Sequence, residues 1–224
     1  MRLILAALII ALFPAAASAG AWPREVGTSF LSLSYTLSDD MNLPGVDPEG
    51  YTALYYEIGV TPRLTFGLDA GRAQNGEYSA ILFARRALDF ELFGGRTALQ
   101  AGAGMAEIGG TSDTLVEFGA SWGKGLETRF GGGWLGLDSK LHYFTQAEEF
   151  AAKLDMTVGV KPNDRTMLIL QLQAASYPGA DPSLALVPSI VRRVGARYHF
   201  ELGLDLGLVN DTTAGIKLGT WLEF

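Results

Sequence analysis

Acidic, basic, amide and imidazole side chains recur at alternate positions along this chain: Glu57, Asp69, Glu117, Asp138, Lys140, His142, Lys153, Asp155, Gln171, Gln173, His199, Glu201, Asp205 and Lys217. They offer ion pairing, hydrogen bonding and, at the chain's two histidines, an imidazole base near neutral pH. Their spacing carries the information. Lys153-Leu154-Asp155, Gln171-Leu172-Gln173 and His199-Phe200-Glu201 place polar groups two residues apart around a large apolar residue, which is the period of a β-strand. Charges of both signs on one side of such strands imply a surface that either lines a watery passage or pairs with itself.

Other chemistries find less support. Asp39, Asp40, Asp47 and Glu49 are acidic, but their spacing is irregular for a cation and reads as a solvated loop, so no metal is expected. Gly131-Gly132-Gly133 has no strand-to-helix context for phosphate and reads as a turn. No cofactor is expected. With 24 acidic against 17 basic residues, the net charge of −7 argues against a nucleic-acid partner.

The elements that must position these groups are segments of about ten residues with period-2 alternation, separated by turn residues. Eleven such segments precede the terminal one: Thr28 to Leu37, Tyr51 to Val60, Leu64 to Gly71, Tyr78 to Ala87, Arg96 to Ala106, Thr114 to Trp122, Trp134 to Tyr143, Phe150 to Val160, Thr166 to Ala175, Leu184 to Arg192 and Tyr198 to Leu208. Tyr198 to Leu208 is the clearest, with Tyr198, Phe200, Leu202, Leu204, Leu206 and Leu208 facing one way and His199, Glu201, Gly203, Asp205 and Gly207 the other. In Tyr78 to Ala87 the adjacent Arg85 and Arg86 leave open which one faces inward, and Pro188 interrupts Leu184 to Arg192. Thr61-Pro62-Arg63, Asn75-Gly76 and Pro162-Asn163-Asp164 mark tight turns.

Arg2, the apolar run Leu3 to Phe13, Pro14 and the stretch Ala15-Ala16-Ala17-Ser18-Ala19 read as a secretory signal peptide over residues 1–19, too short to span a bilayer. Cleavage after Ala19 leaves 205 of the 224 residues, starting at Gly20, with 16 basic residues against 24 acidic and a net charge of −8. No later stretch is apolar enough for a transmembrane helix, and cysteine is absent. The expectation is an all-β chain: residues 20–224 form a single closed antiparallel up-and-down transmembrane barrel of about twelve strands, with ten as the alternative. An apolar parity then faces lipid, and the chemical set above faces the lumen. Trp22, Trp122, Trp134 and Trp221 are expected at the membrane interfaces.

The chain ends Ile216-Lys217-Leu218-Gly219-Thr220-Trp221-Leu222-Glu223-Phe224, with Ile216, Leu218, Leu222 and Phe224 on one face. This resembles the terminal strand of bacterial outer-membrane β-barrels, which ends in an aromatic residue read by the barrel-assembly machinery. Tyr55 to Leu68 is also similar to the second hairpin of proteobacterial barrels labelled transporter-like or phenol-pathway outer-membrane proteins. The resemblance implies an outer-membrane location, outer-membrane lipid and lipopolysaccharide as surroundings, and a porin-like passive pore or binding channel for small polar solutes. Within the lumen, Asp138, Lys140, Lys153 and Asp155 either line that passage or pair across neighbouring strands and fill it. His199 and Glu201 are expected as a hydrogen-bonded pair. Two alternatives remain: a structural or adhesive barrel without transport, and a lipid hydrolase of the outer-membrane phospholipase or lipid A deacylase type. Those hydrolases carry a His-x-Ser motif, which His142-Tyr143-Phe144 and His199-Phe200-Glu201 lack, so no catalytic residue is assigned.

Overall fold

A computed structural model describes residues 20–41, 47–108 and 110–224; the signal-peptide expectation for residues 1–19 lies outside these. Twelve strands follow in order: β1 (Ser29–Asp40), β2 (Glu49–Thr61), β3 (Leu64–Ala73), β4 (Tyr78–Leu92), β5 (Gly95–Ile108), β6 (Thr111–Thr128), β7 (Gly131–Phe144), β8 (Glu149–Asn163), β9 (Thr166–Ser176), β10 (Ser183–Arg193), β11 (Tyr198–Val209) and β12 (Thr213–Glu223). Each pairs antiparallel with its sequence neighbour, and β12 returns to β1, closing the barrel. At the seam the Ser29 amide donates to the Phe224 carbonyl (2.6 Å) and the Phe224 amide to the Ser29 carbonyl (3.0 Å). Closure leaves no sheet edge unpaired, which a sheet immersed in hydrocarbon requires.

The strands are longer than their alternating cores. β6 runs 18 residues where the pattern marks Thr114 to Trp122, because a ladder continues past the depth at which alternation is enforced. β4 and β5 meet at Phe93-Gly94, both with positive φ (52° and 70°), as a two-residue hairpin demands to match strand twist. Pro188 pairs with Leu170 of β9, but the ladder to β11 passes from Leu186 to Ser189. The ring has no amide to give there, and β10 is otherwise interrupted only by a register shift between Leu184 and Ala185.

The outer face is apolar at alternate positions: Leu33, Phe66, Leu82, Phe118, Phe200, Leu202 and Leu218 are between 46% and 68% exposed. An exterior of this composition is stable only against lipid. The inner face buries Glu57, Arg85, Gln100, Glu117, His142 and Glu201. Parity also corrects the placement of three tryptophans. Trp134 is 6% exposed on the inner face over Gly159, the Trp221 indole donates to Glu201 Oε2 (3.1 Å), and Trp22 packs on Gly123. Of the four, Trp122 alone stands outside, on the parity of Phe118, donating to the Leu92 carbonyl (2.7 Å). Trp134 and Trp221 alternate with Leu135 and Leu222, so the strand period turns them away from lipid.

Candidate functional site

The lumen holds one continuous polar network on the wall from β2 to β7. Glu57 Oε1 accepts from Arg24 Nε (2.8 Å), while its Oε2 accepts from the Tyr55 hydroxyl (2.9 Å) and Arg85 Nη1 (3.1 Å). Arg85 continues the chain to the Tyr55 hydroxyl (2.5 Å) and Gln100 Oε1 (2.9 Å). The Gln100 amide donates to Glu117 Oε1, and Glu117 Oε2 lies 2.9 Å from His142 Nε2 and 3.8 Å from Lys140 Nζ. Lys140, on β7, then reaches across to Asp69 Oδ2 on β3 (2.6 Å). Glu57 and Glu117 are 1% and 0% exposed, and burying a carboxylate costs several kcal/mol unless cations and donors surround it. Both have that shell. Toward the loop end bearing the β7–β8 turn, Ile81, Leu115, Phe144, Ala106 and Ala151 close the same wall with an apolar cluster.

The space between this network and the opposite wall is open. A cavity of about 1090 Å³ is bordered by Phe30, Ser32, Asp155, Thr157, Gln171, His199, Glu201, Lys217 and Trp221, and by Asp69, Arg85, Asp138 and Lys140 from the network side. Lys161, Arg165 and Arg193 line its other end, near the β8–β9 turn. Glu201 Oε1 accepts from Lys217 Nζ (3.0 Å). Gln171 donates to Thr157 Oγ1 and accepts from Gln173 (both 3.2 Å). Lys153 Nζ stands 5.6 Å from the centre of the Tyr177 ring. Asp205 lies opposite Gly215 on the parity of Glu201. Among the described residues, no three His, Cys, Asp or Glu side chains converge as a metal site would.

The segment before β1 enters the lumen. Ala21 is fully buried, and a β-carbon on Gly123 would stand 3.0 Å from that of Ala21. The Arg24 amide donates to Thr65 Oγ1 (3.3 Å), and its guanidinium covers the Phe30 ring at 4.9 Å.

Two sequence expectations change here, and one open question is answered. The register sets Asp138 opposite Asp155 and Lys140 opposite Lys153, so these four do not pair as neighbours; Lys140 finds its acid across the barrel. Glu201 bonds Lys217 and Trp221, not His199, whose Nδ1 is buried without a hydrogen-bond partner among the described residues. The cause is again register, which seats His199 beside Trp221 and Arg193. Arg85, not Arg86, faces inward. Arg24, Tyr55, Gln100 and Arg85 are network members absent from the candidate set; the parity of Glu57 and of Gly102 already placed Tyr55 and Gln100 on the inner face, whereas Arg24 lies outside any strand and gave no such signal.

No protein-family model and no curated protein sequence matches the chain. Solved structures do. The KdgM porin in complex with disordered oligogalacturonate superposes with a TM-score of 0.57 at 6% identity, covering 86% of this chain and 99% of that one. An outer membrane channel from Pseudomonas putida F1 gives 0.56 at 11%, covering 91% and 98%. Outer membrane phospholipase A from Escherichia coli gives 0.52 at 12%, covering 90% and 97%. At such identities the likeness is one of fold. A closed twelve-strand sheet, apolar without and charged within, and shared with these proteins, is a transmembrane β-barrel of the bacterial outer-membrane type.

Proposed function

We propose that the barrel is a passive outer-membrane pathway for small polar solutes, and that Glu57, Asp69, Glu117, Asp138, Lys140, His142, Lys153, Asp155, Gln171, Gln173, His199, Glu201, Asp205 and Lys217 line it or brace its wall. The observation that carries this is the cavity of about 1090 Å³ bordered by side chains of both signs. Water and polar solutes are stabilised there by ready donors and acceptors, while the sheet outside remains compatible with lipid. The network on β2 to β7 stiffens one wall of this cavity, and the strands β8 to β12 and β1 form the other. In the same proposal, residues 1–19 are a cleaved leader, and the outward strip Ile216, Leu218, Leu222 and Phe224 is the signal read by the assembly machinery.

Planar-bilayer recording of the refolded protein tests this: discrete conductance steps are expected, and a silent membrane at all salts and voltages would overturn it. The hydrolase alternative expects a serine hydroxyl on an imidazole. His142 Nε2 instead meets Glu117, and His199 Nδ1 has no hydrogen-bond partner, a serine hydroxyl included, among the described residues, which favours the pathway. Phospholipid or lipid A turnover lost in His142→Ala would reverse that preference.

A further inference from the structure

Gly20, the first described residue, lies inside the barrel against two polar side chains. A β-carbon built on it would stand 2.6 Å from Ser121 Oγ and closer still to Asp138 Oδ1, so no other residue fits without displacing that carboxylate. Asp138 faces Asp155 directly across the β7–β8 ladder, a like-charge arrangement that is unfavourable unless a cation stands beside it. Among the described residues no cationic side chain comes within 4.0 Å of either carboxylate, because Lys140 is turned to Asp69 and Glu117.

We propose that Gly20 becomes the N-terminus of the mature chain and that its α-ammonium is the counter-ion of Asp138, sealed into the lumen. The proposal rests on leader cleavage after Ala19 and is independent of transport. A peptidase adds water across the Ala19–Gly20 amide: hydroxyl goes to the Ala19 carbonyl carbon, the C–N bond breaks, and the nitrogen leaves with the proton from water. The proton lost by the new carboxyl completes the ammonium. An α-amine is largely protonated at neutral pH, and on Gly20 it is bonded to the α-carbon whose empty β-position faces Asp138 and Ser121. Buried Ala21, Trp22 on Gly123 and the Arg24–Glu57 ion pair (2.7 Å) hold the segment in place. Cleavage thus brings a positive charge into contact at the point where two carboxylates meet, where Lys140, Lys153 and Arg85 stand farther off.

The test is acylation of the α-amine in protein purified from outer membranes, using an amine-reactive ester at neutral pH, with the N-terminal peptide followed by mass spectrometry and Lys124 as internal reference. A carboxylate partner that holds the amine tenfold more strongly in its charged form leaves about tenfold less free amine, so wild type is expected to react about tenfold more slowly than Asp138→Asn. A second variant with one alanine inserted between Ala19 and Gly20 moves the ammonium off Asp138; it is expected to react at the fast rate and serves if Asp138→Asn fails to fold. A mature mass that does not begin at Gly20 would overturn the proposal. So would equal acylation rates in wild type and in whichever variant folds, with Lys124 unchanged. None of these readouts involves current, so their failure leaves the solute pathway standing.

Discussion

Glu57→Leu isolates the energetics of the inner network. The carboxylate is 1% exposed and is shared by Arg24, Arg85 and Tyr55. Its removal strands two guanidinium groups unequally. Arg24, on the segment before β1, has 11% side-chain exposure and lies outside the sheet ladder; Arg85 is fixed on β4 with 7%. Breaking a buried pair by deleting one partner costs about 3–5 kcal/mol, and because Arg85 keeps Tyr55 and Gln100 as acceptors the lower end applies, about 3 kcal/mol or roughly a hundredfold in the folding equilibrium. Replacing both charges removes the stranded cation, so Glu57→Leu with Arg85→Met is expected within about 1 kcal/mol of wild type. Urea titration of barrels refolded into lipid vesicles, followed by tryptophan fluorescence, reads both variants, with the dependence on urea concentration unchanged. A single variant costing under about 1 kcal/mol would refute the network as a buried charge shell, as would a double variant costing the sum of its parts.

Leu204→Arg, on the lipid face midway along β11, is expected to cost about 2–4 kcal/mol in the same titration, whereas Gln171→Arg on the inner face changes it by much less; equal costs would contradict the assignment of faces. Phe224→Ala keeps the two backbone bonds to Ser29 and trims a side chain 49% exposed, so refolded stability should move by less than about 1 kcal/mol, while the amount recovered from outer membranes falls; normal recovery would sink its role as an assembly signal. Asp155→Asn removes a cavity carboxylate and should shift the reversal potential of a salt gradient toward anions, more at low ionic strength than at high. An unshifted potential would place Asp155 off the ion path.

Fold and face were legible because a strand records them every second residue. Leu202, Leu204 and Leu206 against Glu201, Gly203 and Asp205 state both the element and its inner side, and the inward placement of Asp138 and His142 follows from the same count. Partners within the lumen were not. Lys140 bonds Asp69, 71 residues away and four strands round the wall, and no local spacing encodes a contact made across a closed cylinder. Arg85 and Arg86 show the intermediate case: adjacent arginines blur the alternation, and only the pairing of Arg85 with Thr65 and Gln100 decides between them. Arg24 had no pattern to reveal it, since a segment that pairs with the sheet only at the Val26–Gly59 bridge carries no period.

How the lumen is filled unevenly follows from where glycine falls on the inner parity. A β-carbon on Gly67 would strike the Phe83 ring, one on Gly159 the Trp134 ring, and one on Gly219 would lie 2.9 Å from Glu201 Oε2. Each glycine is the empty half of a pair whose other half is large, so a neighbour's side chain lies flat over it and the wall stays thin there. On β4 to β8 the same parity also carries Ile81, Leu115, Phe144 and Ala151, and the space closes. On β11 and β12 it carries Gly203, Gly207, Gly215 and Gly219 instead, over which Ser189, Asp211, Ser38 and Glu201 lie, while the cavity is bordered there by His199, Glu201, Lys217 and Trp221. Passage along one wall is therefore set by side-chain volume as much as by charge. Gly203, whose built β-carbon would stand 3.0 Å from that of Ser189 and 3.5 Å from that of Lys217, is where added bulk should press on the Lys217–Glu201 pair that borders the cavity.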